Sequence, residues 1–101
     1  MQYIRVQWIH DHPDEPVCLI SELDEQRWEV RKVEVFFDGA KGYASSESEF
    51  GGTRLGVLPV PPINQIAEDP QFLPVEITAD EFEAIWALRT EAANGETSQR
   101  T

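Results

Sequence analysis

Trp28-Glu29-Val30-Arg31-Lys32-Val33-Glu34-Val35-Phe36-Phe37-Asp38-Gly39 is the stretch that decides the fold. Trp28 and Val30 hold one phase of an alternating pattern and Val33, Val35 and Phe37 hold the other, which is the period of a strand on a half-buried sheet. The phase changes at the adjacent charges Arg31 and Lys32, and this predicts a β-bulge rather than a strand buried on both faces. Asp38-Gly39 is a tight-hairpin signal, so Lys41-Gly42-Tyr43-Ala44 reads as the returning antiparallel strand.

The pattern continues toward the N-terminus. Ile4, Val6 and Trp8 alternate with Arg5, Gln7 and Ile9, giving a first strand over Tyr3 to His10, and Val17, Leu19, Ser21 and Leu23 mark a second. Between them lies Asp11-His12-Pro13-Asp14-Glu15-Pro16, which reads as a stiff, extended acidic turn because prolines flank its acidic end. Asp24-Glu25-Gln26 connects the second strand to Trp28.

C-terminal to the hairpin, Ser45 to Gly52 is polar and ends in glycine, so it reads as a mobile connection before a short fifth strand over Thr53 to Val60. Ile63 to Asp69 is a short helix, stopped before Pro70 because a residue preceding proline disfavours helical backbone. Phe72 to Ile77 reads as irregular. Thr78 and Glu81 form a capping box, with Ile77 placed to staple onto Phe82. Phe82, Ile85, Trp86 and Arg89 then give one stripe of a helix from Ala79 to about Ala93, ended by Asn94-Gly95. The expected architecture is α+β, an antiparallel four- to five-stranded meander sheet with the C-terminal helix packed on one face. It forms a single domain over residues 1–95, with a disordered tail over 96–101.

A chain of 101 residues can bury roughly 65% of its unfolded surface, enough for one core. The formal net charge is -11, and a hydrophobic share of 41% is too high for a disordered acidic chain. Residues 1–40 carry nine acids against four bases and residues 41–101 carry ten against four, so the folded body itself is acidic. Such a field repels nucleic acid and anionic membranes and steers cationic partners, and acidity also serves solubility alone. Cys18 is the sole cysteine, which excludes an intramolecular disulfide, and between Val17 and Leu19 it reads as a small buried hydrophobe rather than a nucleophile. No basic segment followed by an apolar run opens the chain and no stretch reaches membrane-span length, so the expected location is cytoplasmic.

Groups able to bind metal or move protons are dense only at His10 to Glu15. In an extended chain His10, His12 and Asp14 share one side and could begin a His-His-carboxylate site, with Asp11 or Glu15 as base or outer-shell partner. The chain has no third histidine, so distant carboxylates would have to complete it. The alternative reading has His10 or Asp11 hydrogen-bonding the turn and the other charges solvated. No serine lies in a nucleophile elbow, and Gly51, Gly52 and Gly56 lack the lysine and helix of a phosphate loop. No cofactor is expected. Of the three tryptophans, Trp8 and Trp86 read as core, whereas Trp28, bracketed by Arg27, Glu29 and Arg31, reads as partly exposed. The interleaved charges from Glu22 to Lys32 read as a solvated rim of weak pairs or, alternatively, as a docking surface.

The chain resembles a family of small bacterial proteins grouped as a domain of unknown function. That family is marked by Trp-x-His-Asp-x-Pro-Asp-Glu-Pro, Ser-Glu-Leu-Asp-x-x-Arg-aromatic-Glu-x-Arg-Lys-Val-Glu and Ile-Thr-x-x-Glu-Phe-Glu-x-x-Trp. These stand here at Trp8 to Pro16, Ser21 to Glu34 and Ile77 to Trp86. The resemblance implies one domain and no particular reaction. By class analogy, small acidic single-domain proteins without catalytic signatures often act by blocking a partner, as immunity proteins do against basic nuclease toxins. The expected function is therefore a non-enzymatic protein-binding module, an immunity- or antitoxin-like inhibitor. It would meet a basic protein through Asp11, Asp14, Glu15, Glu22, Asp24, Glu25 and Trp28. The second reading is a small metal-dependent hydrolase or isomerase using His10, His12 and Asp14.

Overall fold

A computed structural model of the chain describes residues 1–90. Its elements are β1 (Gln2–Trp8), β2 (Cys18–Leu23), β3 (Glu29–Val35), β4 (Lys41–Ala44), β5 (Glu49–Phe50), α1 (Ile63–Ile66), β6 (Phe72–Ile77) and α2 (Ala79–Ala87). The fold is α+β, with one antiparallel six-stranded sheet in the order β5-β4-β3-β2-β1-β6. The first four strands form the expected meander, β5 extends it by one short strand, and β6 returns to the free edge of β1.

The phase change in β3 is a bulge. Glu22 faces Arg31 and Leu23 faces Glu29, which leaves Val30 as the extra residue. Two expectations fail at the strands. Phe72 to Ile77 is not irregular but pairs with β1 from Tyr3↔Ile77 to Trp8↔Phe72. Pro74 is tolerated because β6 is an edge strand. The fifth strand is Glu49–Phe50, inside the stretch read as a mobile connection, while Thr53 to Val60 forms no strand. Gly51 and Gly52, at φ 74 and 81, turn the chain immediately after β5 and send it across the sheet instead.

The two faces of the sheet bury separate clusters. On the helix face Ile20, Val33 and Ile77 surround Phe82, with Tyr3, Tyr43, Ile85 and Trp86 packed around them. Helix α2 begins with the expected capping box: the Glu81 amide donates to Thr78 Oγ1 at 3.0 Å and the Thr78 amide to Glu81 Oε1 at 2.8 Å. It ends at Ala87 rather than near Ala93. The Leu88 and Arg89 amides donate three residues back, to Ile85 and Trp86, and Lys41 Nζ donates to the Leu88 carbonyl at 3.1 Å, so the exposed carbonyls find partners in a tightened last turn. The Arg89 guanidinium stacks over Trp86 at 4.1 Å and Tyr43 at 4.8 Å. The expected helix residues beyond 90, the Gly95 stop and the 96–101 tail lie outside the described residues. No described helix is long and apolar enough to cross a membrane.

On the opposite, loop face, Ile4, Val6 and Leu23 are covered by Val60, Ile63, Ile66 and Phe72. The covering chain is fastened at both ends. Thr53, 1% exposed, donates its hydroxyl to Glu34 Oε1 at 2.7 Å. It fits only because Gly42 lacks a side chain, since a Cβ there would stand 2.2 Å from Thr53 Oγ1. Farther on, the Gly56 amide donates to Glu29 Oε1 at 2.6 Å. The Val60 amide donates to the Arg27 carbonyl, and Arg27 Nε and Nη2 donate to the Val60 and Pro61 carbonyls, each at 2.8 Å. Arg27 holds left-handed backbone, φ 68, at a cost on the order of 1 kcal/mol that this clamp offsets.

Candidate functional site

The β1–β2 connection and the β2–β3 turn stand at opposite ends of β2, whose six residues separate them by about 20 Å. The residues expected to form one partner surface are therefore divided between two places.

At the β1–β2 end, His10 is the hub of the turn. Its Nε2 donates to the Pro16 carbonyl at 2.8 Å, and its Nδ1 accepts the His12 amide at 2.9 Å. The ring lies 4.3 Å from that of Trp8, 5.4 Å edge-on from Phe37 and 5.4 Å stacked on His12. With both nitrogens engaged, His10 fastens the loop as the turn-bonding reading expects. Among the described residues no group of three or more His, Cys, Asp or Glu side chains converges as a metal set, and His10, His12 and Asp14 do not form one. Asp11, His12, Asp14 and Glu15 are exposed. The side chains of Asp11, Asp14 and Glu15 make no hydrogen bond or ion pair with the described residues. Exposed apolar groups share this end of the sheet: Ile9 at 49%, Phe37 at 53% and Leu73 at 50%. Ile9 and Leu73 are brought near one another by the pairing of Gln7 with Leu73 and by the Ile9 amide bonding the Gln71 carbonyl.

At the β2–β3 end most of the charges serve the fold. Glu22 is 6% exposed and takes a two-pronged bond from Arg31, Nε to Oε1 at 2.6 Å and Nη2 to Oε2 at 3.1 Å. Arg31 also reaches Glu83 Oε2 at 2.6 Å and lies over the Phe82 and Trp86 rings. The two carboxylates push the Arg31 pKa further up, and the Arg31 hydrogen bond lowers that of Glu83. Asp24 Oδ1 accepts the Gln26 and Trp28 amides, each at 2.9 Å, and so shapes its own turn. Of the residues expected to meet a partner at this end, Glu25 and the 41% exposed Trp28 are exposed. The solvated-rim reading of Glu22 to Lys32 is thus corrected. The Glu22 and Glu29 side chains are 8% and 7% exposed, held there by Arg31 and Lys32.

Trp8 and Trp86 are half-buried rather than enclosed. Cys18 is half-buried too, and burial pushes its thiol pKa up, against a smaller opposing effect of Arg5.

The loop face holds a feature that sequence reasoning missed. A cleft of about 370 Å³ opens between the sheet and the covering chain, walled by Ile4, Val6, Leu19 and Phe72, with Ser21 and Glu29 at the sheet side and Asp69 beyond α1. The sequence carried no signal for it, because the alternating pattern puts Trp28 and Val30 on the apolar phase and turns Glu29 outward.

No curated protein and no solved structure matches the chain. A family model described as a domain of unknown function, DUF6881, matches residues 2–91, so the chain belongs to that family.

Proposed function

We propose that this chain is a non-enzymatic protein-binding module, of the immunity- or antitoxin-like inhibitor kind, that meets a basic partner at the β1–β2 end of its sheet. The supporting observation is the shared location of the free carboxylates of Asp11, Asp14 and Glu15 with exposed Ile9, Phe37 and Leu73. Apolar groups flanked by solvated charge match the anatomy of a protein interface, and the acids add steering in a chain of net charge -11. Glu22 and Asp24 drop out of the contact set because the fold itself uses them. Glu25 and Trp28 form a separate, smaller contact at the opposite end. The proposed setting is the cytoplasm, where a lone thiol stays reduced.

The test is a quantitative pulldown from the native host with three baits: the chain itself, a triple Asp11→Lys, Asp14→Lys, Glu15→Lys variant, and Glu25→Lys. One cationic protein recovered by the first and third baits and lost with the second is the expected result. Its association should slow as salt rises, because steering is screened beyond about 10 Å at 0.1 M. Equal recovery by all three baits, or recovery of no specific partner, overturns the proposal.

A further inference from the structure

We propose that the loop-face cleft binds a small organic cation, an apolar body about the size of one ring carrying a protonated amine. The site is independent of the acidic end and of any partner there.

About 370 Å³ lies within the range of small-molecule pockets, and such sites pair apolar walls with a few placed polar groups. Here Ile4, Val6, Leu19 and Phe72 supply the walls, and Ser21 and Glu29 the polar end.

The sign of the charge follows from the ion pairs beneath. Lys32 Nζ lies 3.3 Å from Glu29 Oε1 and 3.8 Å from Glu34 Oε2, so one ammonium serves two carboxylates whose side chains are 7% and 15% exposed. These three groups together carry one negative charge in excess at a largely buried place, with the Arg27 cation held at the Val60 and Pro61 carbonyls, and a bound cation relieves that excess. Asp69 adds a further carboxylate to the lining, which contains no Lys, Arg or His. Glu29 also keeps acceptor capacity. Its Oε1 takes the Gly56 amide and Lys32, but its Oε2 takes only a long, 3.3 Å bond from Ser21 Oγ. An ammonium donating to Oε2 would complete the set, whereas an anion would face two carboxylates and a neutral molecule would leave the charge unmatched.

Apolar cover is at hand as well. Val57 and Leu58 are 82% and 72% exposed, and they lie between Gly56, fastened to Glu29, and Val60, which lines the cleft. Closing them over a ligand would bury apolar surface that now faces water.

The experiment is an amide NMR titration of the isotope-labelled chain with phenethylamine, phenethyl alcohol and hydrocinnamate, which share a body and differ in the charge of the end group. Phenethylamine should shift the amides of Ile4, Val6, Ser21 and Ile66 saturably. The alcohol should bind about tenfold more weakly, the worth of a charged hydrogen bond, and the acid should not bind. Glu29→Gln should bring the amine down to the affinity of the alcohol. Gln65→Trp, at an exposed position on the cleft lining, should block both, and it keeps the test decisive if the Glu29 variant fails to fold. Absence of saturable shifts up to about 10 mM amine, or equal binding of all three probes, overturns the proposal.

Discussion

The two faces of the sheet are covered by opposite means. A regular helix lies on one and delivers Phe82, Ile85 and Trp86 to a largely apolar cluster. An irregular chain lies on the other, fastened by Arg27, Glu29 and Glu34. A helix satisfies its own backbone, so the sheet beneath it needs to offer little beyond apolar surface. An irregular segment leaves amides and carbonyls without partners, and the sheet beneath must supply them. The loop face therefore carries acids in β3 where the helix face carries Val33 and Val35. On this face Glu29 and Glu34 can be read as the imprint of the loop above them, whereas the buried Glu22 of the helix face answers to Arg31 instead.

The sharpest way to break this comparison is to delete one apolar anchor from each face. Phe82→Ala empties a fully buried site and should cost about 3–5 kcal/mol, whereas Ile66→Ala, at a half-buried position, should cost about 1 kcal/mol. Chemical denaturation of the two variants measures both, and equal losses would mean that apolar packing holds the two faces alike.

A change that strikes the loop face alone comes next. Gly42→Ala places a methyl on Thr53 Oγ1 and should cost about 1–3 kcal/mol as an overpacked site. Hydrogen exchange should then quicken at the Gly56 and Val60 amides and hold steady in α2. Faster exchange throughout would show that the loop and helix faces open together.

The smallest expected effect belongs to the exposed end of the helix-face ion network. The pKa of Glu83 is lower in the folded chain because Arg31 bonds its charged form. Its contribution is therefore present above the ordinary carboxylate pKa and is lost as pH falls through the lowered value. Glu83→Gln should flatten that part of the acid limb of a stability–pH curve and leave the neutral plateau nearly unchanged, because the carboxylate faces solvent.

What could be read from the sequence follows the same division. Strands β1 to β4, the hairpin at Asp38-Gly39, the bulge near Arg31 and the Thr78 cap are local patterns, complete within a few residues. β6 was illegible because Pro70 and Pro74 argue against a strand, and only the open edge of β1 makes one of Phe72–Ile77. β5 was illegible because two paired residues carry no period. The acidic turn was visible, but not that His10 uses both ring nitrogens to hold it, nor that Glu22 belongs to Arg31. The cleft joins residues as distant as Ile4 and Phe72, which no local pattern connects.

The place of β1 between β2 and β6 sets an order on synthesis. As the chain leaves the ribosome, β1 can pair at once with β2, and the meander can grow by short hairpins. Among the described residues the other edge of β1 has no partner until Phe72 to Ile77 emerge to pair with Trp8 to Tyr3. Until then the nascent protein presents an unpaired edge flanked by Ile4 and Val6, the kind of template on which neighbouring chains join. Among the described residues the last strand to be made is therefore the one that seals the first, and a chain halted before Phe72 would keep that edge open.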